Sequence, residues 1–301
     1  MQLTPGQAFG LLVLYCLAYV LPLHTNPDTR PSPTRNRDHP STIQSRIRAV
    51  SFSTAFCSLC TLIILYLHAG DGTQTISPWT LMGYWPVGFV PTLKSCLLTA
   101  LLFAAPLYEA LLIDGGWQDW ARLQPLKDLC SHWTNWRNYV AGPVTEECLF
   151  RSASVPLLLI AGVSLARTVL LSPVVFGLAH IHHFYEFRIT NPQVPLPMAI
   201  ARTVLQFSYT SLFGIYATFL FIRTGSLLAV ILVHSFCNSM GLPRVWGRVE
   251  PWWMTPEEAS GKIGTRLTVV YYVLLFAGAA AWYQALVPLT DNQVALATFW
   301  A

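Results

Sequence analysis

The sequence predicts an all-α, polytopic membrane protein with about eight transmembrane helices. Hydrophobic residues make up 53% of the 301 residues and charged residues only 11%, whereas an ordinary soluble domain carries about 25% charged residues. This composition excludes a typical water-soluble enzyme. It also excludes an intrinsically disordered chain, which combines few apolar residues with high charge. Apolar stretches long enough to cross the hydrocarbon core, about 20 residues each, recur along the chain.

Eight such stretches are present, and each is predicted to be one membrane-spanning helix. They cover approximately residues 6–23, 49–68, 93–113, 141–161, 164–182, 199–222, 226–242 and 267–288. The first stretch has the length of a signal peptide, but it lacks a basic leading region and a clear cleavage site. We interpret it as a retained anchor helix.

The polar segments between these stretches predict the topology. The Pro-rich linker 24–48 contains five arginines, and such segments stay on the cytosolic side of a membrane. Counting crossings from the linker places three further loops on the cytosolic side and both termini on the opposite face. Those loops are residues 114–140, 183–198 and 243–266. The Trp-rich stretch 117–139 within the first of them is typical of an amphipathic interfacial segment.

The net charge is only +4, and the basic residues lie in short loops, so nucleic acid is not a predicted partner. The seven cysteines are an odd number, and most lie in apolar stretches, which indicates buried thiols rather than a disulfide framework. Cys57 and Cys60 form a CxxC pair. The pair lies in a lipid-spanning pattern without a βαβ context, so a redox function is not indicated.

The fourth apolar stretch contains three charged residues, Glu146, Glu147 and Arg151. A charge in the middle of a membrane helix costs about 2.5 to 3.5 kcal/mol on insertion scales, so each one needs a reason. Glu147 and Arg151 are four residues apart and can form a structural ion pair on one helix face. Glu146 lies about 100° around the helix from Glu147. Glu146 is therefore free to point away from the Glu147 and Arg151 pair.

Two further stretches contain polar residues at a matching depth. His180 lies near the end of the fifth stretch, and His234 and Asn238 are four residues apart in the seventh, so the last two share a helix face. The predicted topology places Glu146 with all three in the cytosolic half of the membrane. We therefore predict a polar catalytic cavity open to the cytosolic side. His182 and His183 belong either to this site or to the interfacial polar residues.

These groups form a complete set for hydrolysis. Glu146 can remove a proton from a water molecule beside His180, and His234 and Asn238 can donate hydrogen bonds to the developing oxyanion. One alternative is a metal-dependent membrane hydrolase, since imidazole and carboxylate bind zinc, although an HxHH run does not place three ligands on one helix face. Another is a proton-coupled transporter with a Glu and His relay. Neither a metal nor a cofactor is predicted.

Three motifs carry a resemblance to a known family. EECLFR (146–151), FGLAH (176–180) and HSFCN (234–238) resemble the EExxxR, FxxxH and HxxxN motifs of the CAAX protease and bacteriocin-processing family of intramembrane glutamate proteases. Within it, the sequence is similar to the eukaryotic Ras-converting CAAX endopeptidases. The similarity covers roughly residues 79–245, which we take as the protease core. Residues 1–78 would then form an N-terminal part with two membrane helices, and residues 246–301 a C-terminal loop and last helix.

The resemblance implies an endoplasmic reticulum enzyme that removes the aaX tripeptide from prenylated Cys-a-a-X proteins. Its partners would be membrane lipid and substrates such as Ras-like small GTPases. By the same resemblance, Glu146 and His180 would activate water, while His234 and Asn238 would bind the oxyanion. Glu147 and Arg151 would support them. The resemblance also implies that the site uses no metal.

Overall fold

The structure, a computed structural model, describes residues 3–32, 35–69 and 76–299. These residues form α-helices, three π-helical segments and connecting loops, with one isolated β-bridge between Ser32 and Arg35. The predicted all-α fold class is confirmed.

The elements of the first half of the chain are mostly short. They are α1 (Pro5–Val20), α2 (Pro22–Thr25), α3 (Pro40–Ala69), α4 (Pro78–Leu81), α5 (Phe89–Leu102), α6 (Ala104–Leu107), π1 (Tyr108–Ile113), α7 (Gly116–Ala121), α8 (Gln124–Ser131), α9 (Trp133–Trp136), π2 (Arg137–Ala141) and α10 (Gly142–Glu147). The second half contains longer helices. Its elements are π3 (Cys148–Ala153), α11 (Val155–Ile160), α12 (Leu165–Ala179), α13 (His182–Thr190), α14 (Leu196–Thr224), α15 (Leu227–Met240), α16 (Pro256–Ser260) and α17 (Lys262–Thr290).

Within the described residues, five helical stretches are long and apolar enough to cross a membrane, so the protein is a multi-pass membrane protein. They are Pro5–Thr25, Pro40–Ala69, Leu165–Thr190, Leu196–Thr224 and Lys262–Thr290. A sixth span results if Phe89–Leu102 and Ala104–Ile113, bent by 83° at their junction, cross together. The predicted stretch 141–161 carries three charged residues, and α15 has only 14 residues. The count of eight spans therefore stays a prediction.

The N-terminal helices pack directly onto the central ones. The Tyr15 hydroxyl on α1 lies 3.0 Å from the Thr61 hydroxyl on α3, which donates to the Ala153 carbonyl at 2.8 Å. Residues of α1, α3, π3, α11 and α12 share one hydrophobic cluster. The two N-terminal helices thus form a wall of the same core, and the predicted domain boundaries at 78 and 245 stay predictions.

The cysteines are less uniformly buried than the sequence predicts. Cys16 and Cys57 are buried, Cys130 is exposed and the remaining four are half-buried. All seven are free thiols, in agreement with the expectation that they form no disulfide framework.

Helices α12 and α14 pack closely together at Gly214. A Cβ atom added there would lie 2.7 Å from the Pro173 Cβ atom and 3.2 Å from an Arg151 side-chain nitrogen. We expect Gly214→Ala to lower the free energy of unfolding by about 1 kcal/mol, because overpacking costs about 1 to 3 kcal/mol and the helix propensity of alanine returns about 1 kcal/mol. Thermal unfolding of the purified protein in detergent measures the change.

Gly10→Ala is the matched control for this substitution. Gly10 also lies inside a helix, and nothing lies within 4 Å of an added Cβ atom. This variant should be as stable as the wild type or slightly more stable. Equal effects of the two substitutions would contradict the proposed role of Gly214 in helix packing.

Candidate active site

The four side chains predicted to be catalytic line one cavity of about 850 Å³. Glu146 comes from α10, His180 from the end of α12, and His234 and Asn238 from α15. Elements α10, π2 and α15 contact one another, which places the acid beside the imidazole and amide pair. The sequence-predicted residues are therefore brought together around a common space.

The two residues predicted to have supporting roles lie behind the cavity wall. Glu147 is 0% exposed and Arg151 is 1% exposed, and an Arg151 terminal nitrogen lies 3.0 Å from Glu147 Oε1. The predicted ion pair forms. The Arg151 guanidinium also lies 4.5 Å from the centre of the Phe176 ring, so this aromatic ring contributes to its burial.

Glu147 has a second partner that the sequence did not reveal. His234 Nδ1 lies 2.7 Å from Glu147 Oε1, and His234 Nε2 lies 3.8 Å from Glu146 Oε2. A carboxylate accepts hydrogen bonds, so Nδ1–H of His234 donates to Glu147. Nε2 therefore faces Glu146 and the cavity. In the neutral ring Nε2 is an acceptor, and it can donate to an oxyanion only when it also carries a proton.

His180 is oriented by its own helix. Its Nδ1 lies 2.9 Å from the Phe176 carbonyl oxygen, so Nδ1–H donates to that oxygen and Nε2 is left as an acceptor. The Phe176 ring contacts both imidazoles, with centroids 4.8 Å from His180 and 6.4 Å from His234. One aromatic side chain thus packs against the two histidines that line the cavity.

Asn238 is held by the irregular backbone that precedes the glutamates. The Gly142 N–H donates to the Arg137 carbonyl five residues earlier, which is the π-helical pattern often found at functional sites. The Asn138 carbonyl is consequently free, and it accepts from Asn238 Nδ2 at 2.9 Å. One amide N–H of Asn238 is therefore already used, and the other is left for a ligand.

A second hydrogen bond between π2 and α15 forms because Pro143 lacks a backbone N–H. Pro143 has no N–H to donate to the Tyr139 carbonyl four residues earlier. That carbonyl instead accepts from the Ser235 hydroxyl at 2.7 Å. Both contacts tie the start of α10 to the helix that carries His234 and Asn238.

His182 and His183 belong to a separate ionic cluster on the cavity wall. His183 Nδ1 lies 2.8 Å from Glu186 Oε2, and an Arg46 terminal nitrogen lies 2.6 Å from Glu186 Oε1. Sequence reasoning overlooked Glu186, although its spacing from His182 and His183 puts all three on neighbouring positions of one helix. Both histidines line the same cavity as His180.

One group of side chains in the described ranges has the spacing of three metal ligands. His24, His182 and Glu186 offer ligand atoms that all lie within 4.8 Å of one another. The group contains none of the four side chains predicted to be catalytic. It gives no support to a metal centre built from Glu146, His180 and His234.

Comparison with known proteins identifies the family. The model of the family described as "Type II CAAX prenyl endopeptidase Rce1-like" matches residues 129–240. A protein of Schizosaccharomyces pombe, "Probable CAAX prenyl protease 2", is 38% identical over 266 residues, which cover 88% of this chain and 87% of that protein. The chain belongs to the CAAX prenyl protease 2 family. The family's Homo sapiens member is 33% identical over 310 residues, covering 97% and 85% of the two chains.

The region that the family model matches contains the candidate site. Residues 129–240 run from α8 to the end of α15 and include all six predicted site residues. The Saccharomyces cerevisiae member of the CAAX prenyl protease 2 family is 29% identical over 90% of this chain. No solved structure matches the chain.

Proposed function

We propose that this chain is an intramembrane endopeptidase that removes the aaX tripeptide from the C-terminus of prenylated CaaX proteins. The observation that carries the proposal is the meeting of Glu146, His180, His234 and Asn238 in one cavity, in a chain of the CAAX prenyl protease 2 family. Its substrates are prenylated CaaX proteins, Ras-like small GTPases among them.

The reaction needs one water molecule and no covalent enzyme intermediate. Glu146 takes one proton from the water while the other O–H of the water donates a hydrogen bond to His180 Nε2, and the water oxygen attacks the carbonyl carbon of the prenylated cysteine. Protonated His234, through Nε2–H, and the second amide N–H of Asn238 stabilise the oxyanion. Glu146 then passes its proton to the departing amine, which leaves as the aaX tripeptide.

The shape of the cavity fits a substrate that is partly lipid. One wall comes from α5, from α15 and α17, which both pack on α5, and from the residues directly after α5 and α15. It presents Leu102, Phe103, Leu242 and Trp282. Burying a prenyl chain against such a surface is favourable, at about 25 cal/mol per Å² of apolar area. The wall formed from the N-terminal part of the chain presents Arg37 and Arg46 instead.

The basic residues that line the cavity also support an orientation of the protein in the membrane. Because arginine-rich segments stay on the cytosolic side, we place the cavity mouth toward the cytosol. The location that fits prenylated substrates is the endoplasmic reticulum membrane, with the lipid bilayer itself as a partner.

The test uses the purified full-length chain in detergent with a farnesylated CaaX peptide. We expect mass spectrometry to detect release of the intact C-terminal tripeptide, with little cleavage of the same peptide without the farnesyl chain. Absence of tripeptide release, or cleavage at another bond, would contradict the proposal. Activity that disappears on chelation and returns with added metal would instead support a metal-dependent hydrolase.

A further inference from the structure

The cavity wall carries more arginine side chains than the nearby carboxylates neutralise. Four arginines line the cavity together with Glu146, namely Arg37, Arg46, Arg137 and Arg202. Two of them have a carboxylate partner at short range. Arg46 lies 2.6 Å from a Glu186 oxygen and Arg137 lies 2.8 Å from an Asp38 oxygen.

Arg37 shares carboxylates that already have closer partners. Its NH1 lies 3.8 Å from Glu186 Oε2, an oxygen that His183 Nδ1 approaches to 2.8 Å. The Arg37 Nε atom lies 4.0 Å from the Asp38 oxygen that Arg137 binds. Burial and the neighbouring Arg37 guanidinium lower the pKa of Arg137. The cations are therefore crowded, and an anion placed among them would be stabilised.

Arg202 differs from the other three cavity arginines because it has no acid beside it among the described residues. No carboxylate of the described residues lies within 4.0 Å of Arg202, whose guanidinium lies over the Phe187 ring at 4.6 Å. The residue is exposed and lines the cavity. Arg37, Arg202 and Tyr209 all line this cavity. Two cations and a hydroxyl group therefore face one common space.

The position of Arg202 along α14 relates it to the reaction centre. Arg202, Gln206, Tyr209 and Phe213 all line the cavity at spacings of three and four residues, which is one helix face. The Phe213 ring lies 4.5 Å from the His234 ring. Because Phe213 follows Arg202 by 11 residues, the two are about 16 Å apart along the axis. An extended tripeptide spans about 10 Å, and the flexible arginine side chain can cover the difference.

We propose that Arg202, assisted by Arg37, binds the free α-carboxylate of the substrate's C-terminal residue. This inference rests on the proposed function. A carboxylate is the anion that a CaaX C-terminus supplies, and a guanidinium binds it with two parallel hydrogen bonds. The contact would fix the distance between the C-terminus and the scissile bond, so that three residues are removed.

The experiment compares two farnesylated CaaX peptides that differ only in a free C-terminal carboxylate or a C-terminal amide. We expect the wild type to prefer the free acid. We expect Arg202→Gln to lower kcat/KM for the free acid by about 10- to 100-fold, mainly through KM, since a hydrogen bond to a charged group has that strength. Turnover of the amide should hardly change. Arg202→Lys keeps the charge and should retain part of the preference if the glutamine variant fails to fold.

Arg122→Gln is the matched control, because Arg122 is exposed and does not line the cavity. It should leave the ratio of acid to amide turnover unchanged. An Arg202→Gln variant with an unchanged ratio would overturn the inference, whether its overall activity falls or not, and would favour binding of a lipid headgroup by Arg202. Equal wild-type cleavage of acid and amide would also overturn it. If the wild type cleaves neither peptide, the proposed function fails, and this inference fails with it.

Discussion

Glu146→Gln should lower kcat for tripeptide release by about 10²- to 10⁴-fold, the usual contribution of a positioned general base. The amide keeps the shape of the side chain but cannot accept a proton from water at neutral pH. Because the substrate contacts other parts of the cavity, KM should change little. Single-turnover release of the tripeptide from a farnesylated CaaX peptide measures the effect.

Glu257→Gln is the control for loss of a carboxylate elsewhere. Glu257 is exposed in the first turn of α16, so its replacement should leave kcat unchanged. The Glu146 variant should also unfold at a temperature close to that of the wild type, since Glu146 is only loosely paired with His234, at 3.8 Å. Near wild-type turnover by Glu146→Gln would refute the role of Glu146 as the base.

The parts of the site that the sequence predicted depend on local spacing. Glu147 and Arg151 are four residues apart, and so are His234 and Asn238, so helical periodicity alone places each pair on one face. The Glu147 and Arg151 contact at 3.0 Å follows directly from that periodicity. The convergence of Glu146, His180 and His234 could be predicted only because the predicted membrane topology put them at a common depth.

Contacts between distant parts of the chain could not be predicted in this way. His234 and Glu147 are separated by 87 residues, and Asn238 and Asn138 by 100. The second contact needs a carbonyl that a π-helical turn sets free, and periodic patterns assume regular α-helices. The arginines of the N-terminal linker looked like topology signals, whereas Arg37 and Arg46 also line the cavity.

The largest change in stability is expected when the buried cluster of Glu147, Arg151 and His234 loses its carboxylate. Glu147→Ala should lower the free energy of unfolding by about 3 to 5 kcal/mol, because it leaves a buried cation without its counter-charge. Arg151 is 1% exposed and Glu147 is 0% exposed, so water cannot replace the lost partner. Thermal unfolding in detergent, with Glu257→Ala as the exposed control, measures the loss.

The double variant Glu147→Leu/Arg151→Met separates two roles of Glu147, which are to neutralise Arg151 and to orient His234. Removing both buried charges together is often neutral for stability, so this variant should be clearly more stable than Glu147→Ala. It should still cleave slowly, because His234 Nδ1 loses the carboxylate that it contacts at 2.7 Å and the ring is no longer held in its orientation toward the cavity. Full turnover by the double variant would show that Glu147 acts only as the counter-ion of Arg151. A double variant as unstable as the single one would show that the pair's hydrogen bonds, and not its charge balance, hold α10 and π3 in place.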